Sequence, residues 1–563
     1  MAPRELSPSW RLENELNFLY VGLLCIVLIT FALKSFALRR KMPPGPSGIP
    51  FIGNRHQMPA RKPWRKFEQL NKIYGPVVSL FFGSTPIIVL GTAQAAWDLL
   101  EKRSDKYSSR PRFIMSGEIL SDNMRGLMLP NNEEWRKWRK ILHTGFHLRQ
   151  AQKYRVIQSL ESKVTMQQIV ENPEEFEKYI QRYAASVVVS VTYGRRVESV
   201  DEWIVAENAK SMACKRLLLS MDSWLNTSCR PYEVWMLELL NCPRLMMVSL
   251  SSYSVNIPGK YVVESWPWLL KLPKCLQWFR REPEAQKERD VRLLNHLVAD
   301  VKQRMKEGTV PDCLTVEALQ NQQKIGVRDL FLAYSMSTPF GAGIETTAGT
   351  IMSFILAMLH FPGVMRKAQA EIDSVLSADH MPEYEDYDSL PYIVAVVNEA
   401  LRWRPVAVLG GTPHASTADD MYNDMFIPKG STVFANFWGI MRDPVMFPEP
   451  DKFEPERFIN SKDPRLTNFE LPFGFGRRIC PGMHLARNSV FINIARLLWA
   501  FDILPALDKN GKEIIPDSMD YTDGFNSKPV SFDCRLIPRS EKVIETIKTE
   551  YDAAQSKFSN WSW

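Results

Sequence analysis

The residue best suited to chemistry in this 563-residue chain is a cysteine, Cys480, in a loop rich in glycine. Gly476 and Gly482 stand on either side of it, and glycine permits a tight turn and a close approach of backbone to a flat partner. The stretch 483–498 predicts a helix, so Cys480 would lie just before a helix N-terminus, which favours an anionic sulfur. By itself such a loop is more often a plain turn than a metal site. The residues around Cys480 are needed to distinguish the two.

Those surrounding residues fit a longer pattern, F-x-x-G-x-R-x-C-x-G, at Phe473, Gly476, Arg478, Cys480 and Gly482. In this segment the sequence resembles the cytochrome P450 family. The resemblance implies haem b as cofactor, with Cys480 as the axial ligand of its iron. It also implies that Phe473, Gly476 and Arg478 bind the cofactor, and that the Arg478 guanidinium pairs with a carboxylate of the cofactor.

A second candidate segment runs from Ala342 to Thr347, in a region whose long apolar run (344–360) predicts a helix. A glycine inside a helix costs about 1 kcal/mol relative to alanine, and an unpaired buried glutamate costs more. The segment resembles the oxygen-binding groove of the family. That implies catalytic roles for Glu345 and Thr346 in relaying protons, and room over the iron at Gly343; a small-residue packing face is the alternative. Pro339, just upstream, predicts a kink.

Three further positions are candidates for binding the haem propionates. Trp135 and Arg139 are four residues apart, hence on one helical face, and match the W-x-x-x-R pattern of the family. His414 stands where many relatives place a propionate-binding Arg or His. Arg136, Lys137 and Lys140 would then form a basic outer surface; by the same resemblance, this surface receives an NADPH–cytochrome P450 reductase, although a plain charged helix face is the default explanation.

The elements that must position these residues are mostly helical. Strand-like stretches at Val77–Phe82, Thr85–Leu90 and Thr432–Phe437 add a minor sheet, so the expected class is mainly α with a minor β region, the cytochrome P450 fold. Glu399 and Arg402, three residues apart on one helix, together with Arg457 resemble the structural Glu–Arg–Arg scaffold of the family. The catalytic domain is expected over 51–545, with a C-terminal tail over 546–563.

An N-terminal transmembrane helix is expected over 16–38, because residues 16–33 carry no charge and span roughly 27 Å as a helix. Residues 1–15 would be a short lumenal terminus, and residues 39–50 a basic cluster followed by a Pro-rich elbow. Basic residues after the span place the body in the cytosol, so a single-pass protein of the endoplasmic reticulum membrane is predicted. A cleaved signal peptide is the competing interpretation, which the long apolar run and the absence of a cleavage site disfavour.

Composition excludes several other classes. The formal charge of +7 is modest, and no cluster of aromatic and basic residues suggests nucleic-acid binding. The eight cysteines are scattered without a C-x-x-C pair, which disfavours a zinc site and a disulfide framework.

The expected function is a monooxygenase that oxidises a lipophilic small molecule with O2 and with electrons from NADPH, which act only indirectly, through the separate reductase. Segments 408–414 and 528–534 resemble fungal enzymes of secondary metabolism. The alternatives are a sterol demethylase, a non-oxygenating isomerase or dehydratase of the same fold, and a non-catalytic membrane haem or electron-transfer protein. The stretch Trp266 to Leu270 would dip into the membrane interface or pack in the core. The sequence does not name the substrate or the oxidised position.

Overall fold

The computed structural model describes residues 36–49, 52–59, 61–208 and 262–560, together with Gly22 and Thr30. Its longer helices are α1 (Pro63–Tyr74), α2 (Glu133–Phe146), α3 (Arg155–Glu171), α4 (Phe176–Tyr193), α5 (Arg281–Glu307), α6 (Asp329–His360), α7 (Pro362–Val375), α8 (Pro391–Trp403), α9 (Met483–Ala500) and α10 (Glu541–Asn560). Shorter α-helical turns are Ala93–Ala96, Ser104–Tyr107, Leu148–Lys153, Val262–Ser265, Leu314–Gln320, Gln322–Ile325, Phe437–Ile440, Glu456–Ile459 and Pro464–Thr467. Most of the described chain is therefore helical or turn, as predicted.

The strands are β1 (Val77–Phe82), β2 (Thr85–Leu90), β3 (His414–Ala415), β4 (Asp420–Tyr422), β5 (Met425–Ile427), β6 (Thr432–Ala435), β7 (Phe501–Leu507), β8 (Glu513–Ile514) and β9 (Cys534–Pro538). They form a four-stranded sheet in the order β1-β2-β6-β3, a hairpin β4-β5 and a three-stranded sheet β8-β7-β9. The predicted bounds of β1 and β2 are confirmed. The predicted stretch 432–437 ends earlier, at Ala435, because a helical turn begins at Phe437.

Helix α6 is the central element of the core. It packs on α4, on α9 and on α2, and nearly all of its second half is buried. Pro339 lies inside this helix, which continues across it as one element. Among the described residues, α6 is also the one helix long and apolar enough to span a bilayer, but its burial identifies it as a core helix.

A buried charge network connects α8 to the chain that leads to the cysteine loop. Arg402 and Glu399 are both fully buried, and the guanidinium of Arg402 donates to the two carboxylate oxygens at 2.6 and 2.8 Å. Arg457 reaches the same carboxylate at 3.2 Å, and Glu454 N donates to it at 2.7 Å. Buried ion pairs persist only where further hydrogen bonds satisfy them, and Arg402 also donates to the carbonyl of Met441 at 2.9 Å. The predicted Glu–Arg–Arg contact is confirmed.

The Pro-rich elbow lies on the first sheet. Ser79 of β1 donates through its hydroxyl to Pro43 O at 2.5 Å and through its N–H to Pro44 O at 3.1 Å. A side chain at Gly45 would meet Ser79 O at 2.0 Å, so this close approach requires glycine. The predicted anchor at 16–38 lies almost entirely outside the described residues. At the other end, the expected boundary at 545 falls inside α10, which packs on α3 through buried Val543 and Ile547.

Candidate active site

The cysteine loop is a tight turn held by its own backbone. Cys480 N donates to Phe473 O at 2.8 Å, which closes the loop just before α9 begins. Gly476 has φ of 52°, and a side chain there would lie 2.6 Å from Leu100 O, so both backbone conformation and space require glycine. This geometry gives the loop its shape, and the binding of the cofactor by Phe473 and Gly476 stays a prediction.

The Cys480 side chain is accessible, although protein atoms surround it closely. It is exposed by surface area, yet burial raises the pKa of its thiol, while the Gly482 N–H and the charge of Arg139 act in the opposite direction. A side chain that small molecules can reach is still poorly hydrated when protein atoms surround it closely, which reconciles the two observations. Burial therefore opposes the anionic form that the helix start favours, and the anionic sulfur stays a prediction. A metal cation would reverse the balance, since a coordinating thiol is deprotonated.

Basic side chains gather beside this loop. Arg139 donates to Ile479 O at 2.6 Å, directly before the cysteine. Arg478 lies with its guanidinium carbon 4.1 Å from the ring centre of Trp135. Its Nε and Nη2 each donate to a backbone carbonyl at 2.7 Å, but its buried Nη1 has no partner among the described residues, and neither does Trp135 Nε1. Two buried donors thus point to an acceptor that the described chain does not supply.

Arg110 is a further member of this cluster, and sequence reasoning missed it. It is buried, donates to Thr412 O, and burial lowers its pKa to about 9. Burial and the charges of Arg110 and Arg139 lower the pKa of Arg478 to about 8. No carboxylate lies within ion-pair distance of Arg110, Arg139 or Arg478 in the described part of the chain. Because buried cations are costly without a counter-charge, the cluster fits a bound anion.

His414 lies in the same cluster but is neutral. Burial and the charges of Arg110 and Arg478 lower its pKa well below the ordinary value. Its Nδ1 is 2.8 Å from Tyr107 O. Since a carbonyl only accepts, Nδ1 carries the proton and Nε2 is an acceptor. His414 would therefore need a second proton before it could donate to a propionate, which an added carboxylate would favour.

Helix α6 carries the second group of candidate residues. Ala342 is exposed and Thr346 partly so, although the helix lies in the core, and residues four apart share one face. The Thr346 hydroxyl donates to Ala342 O at 2.8 Å. A side chain at Gly343 would meet Val188 Cγ1 at 2.5 Å. The expectation that Gly343 leaves room over the iron is therefore wrong: this glycine lets α4 pack closely, and the small residue on the open face is Ala342.

Glu345 has a partner that the sequence did not reveal. Asn526 Nδ2 donates to Glu345 Oε2 at 3.4 Å. Asn526 is buried and sits in a loop held by Ser527, whose N–H donates to Val406 O at 2.9 Å and whose hydroxyl donates to Thr522 O at 2.8 Å. An amide at this place orients the carboxylate on the helix that carries Thr346.

The comparisons with known proteins agree with this arrangement. The family description "Cytochrome P450" matches residues 43–237 and 252–529. The chain belongs to the cytochrome P450 family. It is 36% identical over 93% of its length to cytochrome P450 monooxygenase 58 of Postia placenta, covering 94% of that protein. It is 32% identical to cytochrome P450 monooxygenase fogE of Aspergillus ruber and 34% identical to cytochrome P450 monooxygenase virE of Hypocrea virens, in both cases over 94% of this chain and 93% and 92% of theirs.

Solved structures support the fold alone. A zebra fish cytochrome P450 with progesterone matches with a TM-score of 0.64 at 22% identity, covering 85% of this chain and 100% of that one. A second zebra fish structure, with abiraterone, gives 0.63 at 20% identity and the same coverage. The family match and the relatives named above make the chain a cytochrome P450 monooxygenase, and the family carries haem. The residues present fit that group, because an accessible thiol, two unpartnered buried donors and uncompensated cations meet what its iron and its two carboxylates require.

Arg110→Leu is expected to weaken haem retention about 10- to 100-fold, the usual value of one charged hydrogen bond. The variant should fold, because an apolar side chain at this buried position avoids the cost of an unpaired cation. Transfer of haem to an excess of apomyoglobin measures the effect. Arg112→Leu is the matched control, since Arg112 is exposed and pairs with Glu118 at 2.5 Å. Equal haem loss from both variants would exclude Arg110 from the binding cluster.

Proposed function

We propose that this chain is a membrane-anchored monooxygenase that oxidises a lipophilic small molecule in fungal secondary metabolism. It would use haem b, O2 and electrons that pass from NADPH through a separate reductase. The observation that carries the proposal is the accessible Cys480 thiol set among buried cations that lack a counter-charge. The fungal relatives, all named monooxygenases, support the same reaction class.

When bound, the haem supplies activation of dioxygen and insertion of one oxygen atom into the substrate. The residues of this chain do the rest. Cys480 would hold the iron, and Arg110, Arg139 and Arg478 with Trp135 would hold the propionates. Thr346 and Glu345 would pass protons towards the bound oxygen, and the apolar side chains of α6 would exclude water from the reacting centre.

The reductase would dock on the outer side of the cysteine loop. Arg136 and Lys140 on α2 are exposed, as is Arg477 of the loop itself. Lys137 contributes less than the sequence suggested, because it pairs with Glu133 at 3.2 Å and Glu134 at 3.3 Å. The remaining positive charges favour an acidic partner and raise its rate of association.

Two features support a membrane-facing side that includes the elbow and the two tryptophans Trp266 and Trp268. The elbow is tied to β1, so the chain that follows the anchor leaves the bilayer in a fixed place. Trp266 and Trp268 are 53% and 58% exposed, whereas Leu269, which follows them, is buried, and exposed tryptophans suit the interface of a membrane. This geometry favours the interfacial interpretation over core packing for the two indole rings. Both features suit a cytosolic body on the endoplasmic reticulum.

The function is tested by reconstituting the full chain with haem, a fungal reductase and NADPH. Oxygen and NADPH consumption that rises with candidate lipophilic metabolites, with one added oxygen atom in the product by mass spectrometry, is expected. Binding of haem without oxygen consumption would instead mean an electron-transfer or haem-binding protein. A rearranged product without added oxygen would mean an isomerase or dehydratase, and turnover restricted to sterols would mean a demethylase of primary metabolism.

Protease added to sealed microsomes is expected to digest the body of the chain. The basic residues after 16–33 place that body in the cytosol. Immunoblotting with an epitope in the C-terminal helix α10 measures its loss, and a lumenal marker protein serves as the control. A body that survives until detergent is added would show that the body lies in the lumen.

Removal of residues 1–42 should lower membrane association, with residual binding through Trp266 and Trp268.

A further inference from the structure

A basic cleft lies on the surface next to the elbow, far along the chain from the residues of the cysteine loop. It has a volume of about 950 Å³, which is in the range of small-molecule sites. Its walls come from the loop 56–59, from the start of α1 and from the C-terminal loop around residues 520–523 and 530. We call this the juxtamembrane cleft; its charged lining residues are Arg61, Lys62, Arg65, Lys66, Asp520 and Asp523, with His56 at one side.

Positive charge exceeds negative charge in this cleft, since four Lys and Arg side chains face two Asp side chains. Asp523 is already engaged, because it accepts from Lys62 N at 2.7 Å and pairs with Arg61 at 3.3 Å. Within the described ranges, no carboxylate lies within ion-pair distance of Lys62, Arg65 or Lys66. The lining therefore keeps ammonium and guanidinium groups available for an anion.

Arg65 is fixed in place at the floor of the cleft. Its Nη2 donates to Met519 O at 2.8 Å, and its guanidinium carbon lies 5.5 Å from the ring centre of Trp438. Its Nε is buried without a partner among the described residues. A preorganised guanidinium loses little further side-chain entropy when it binds an anion.

The cleft is tied to the point where the chain leaves the predicted anchor. Gln57, on its wall, donates to Ser47 O of the elbow at 2.7 Å. Arg39 of the basic cluster reaches Gly48 O at 3.5 Å. The same loop exposes apolar side chains, with Ile49 46% and Ile52 52% exposed, and Val530 on the cleft wall is 41% exposed. Cations beside exposed apolar side chains suit a surface that meets lipid headgroups and acyl chains together.

We propose that the juxtamembrane cleft binds the phosphate headgroup of an anionic phospholipid of the membrane in which the chain is anchored. The proposal rests on the proposed membrane anchorage. One lipid would sit with its phosphate among Lys62, Arg65 and Lys66 and with its chains directed along Val530 towards the bilayer. The bound lipid would fix the tilt of the body relative to the membrane surface.

The test uses the full-length holoenzyme in nanodiscs of phosphatidylcholine. A trace of acyl-chain spin-labelled phosphatidic acid or phosphatidylcholine is added, and electron paramagnetic resonance gives the relative association of each lipid. A Lys or Arg near an anionic surface contributes about fivefold in affinity. Lys62→Gln/Lys66→Gln is therefore expected to lower the selectivity for phosphatidic acid at least fivefold, and 0.5 M salt should lower it in the unmodified protein.

Lys72→Gln is the matched control, because Lys72 lies on the same helix, is exposed and pairs with Glu68 outside the cleft. It should leave the selectivity unchanged, and Lys66→Gln alone should give part of the effect if the double variant misfolds. Equal selectivity in the cleft and control variants would overturn the proposal, as would displacement of the lipid by millimolar inorganic phosphate or glycerol phosphate. A protein that does not enter nanodiscs at all would overturn the anchorage instead.

Discussion

Replacing Cys480 with alanine is expected to abolish both the thiolate-type absorption band of the reduced protein with carbon monoxide and all product formation. The sulfur at this position is accessible and lies beside buried cations, and the Gly482 N–H points to it. Alanine removes the one sulfur that the loop places there. Because the thiolate is also what promotes cleavage of the oxygen–oxygen bond, the loss should be complete rather than partial. Difference spectroscopy with carbon monoxide measures the first effect directly.

Cys534→Ala is the control for this experiment. Cys534 lies in β9, is partly buried, and burial raises its pKa to about 12, so it is an inert structural thiol. The variant should keep the band unchanged. Circular dichroism should show both variants folded, since the buried contact of Arg402 with Glu399 does not depend on the sulfur. Retention of the band in Cys480→Ala would mean that another side chain binds the iron, and it would contradict the proposed role of Cys480.

Much of the scaffold could be predicted because its signals are local. The strand-forming residues and bounds of β1 and β2, the glycines of the cysteine loop and the spacing of Glu399 and Arg402 each specify a short-range geometry. Trp135 follows the same rule, since Asn132 caps α2 by accepting from Trp135 N at 2.9 Å, which fixes the face that Trp135 presents. Where residues close together in the sequence determine a helix face or a turn, the structure can be predicted from the sequence.

The rest depends on contacts between distant segments. Nothing around Arg110 marks it as a member of the cation cluster until its loop is folded against Thr412. Asn526 is 181 residues from Glu345, and only the fold brings them together. The role of Gly343 was misjudged for the same reason, because Val188 of another helix decides what faces it. Burial is equally non-local, so the pKa of Cys480 could not be predicted from a helix start alone.

Thr346→Ala is expected to preserve haem and substrate binding while product formation falls about 10²- to 10⁴-fold relative to NADPH consumption. In the coupled reaction, NADPH, a proton, O2 and the substrate give NADP⁺, water and the hydroxylated product. Without a proton at the right place, the same two electrons leave with O2 as hydrogen peroxide. Measuring product, peroxide and NADPH together in the reconstituted system therefore separates loss of coupling from loss of electron supply.

The structure favours Thr346 over its neighbour Thr347 for this role. Thr346 shares the open face of α6 with Ala342, whereas Thr347 is buried, and α6 continues through Pro339 as a single helix. Thr346→Ser should keep most of the coupling because it keeps the hydroxyl. Thr350→Ala, one turn further on and buried, is the matched control; its hydroxyl donates to Thr346 O at 2.9 Å, so its removal tests whether that helical bond alone matters. Uncoupling by Thr347→Ala, with Thr346→Ala fully coupled, would move the relay to the buried hydroxyl and require α6 to rotate when haem binds.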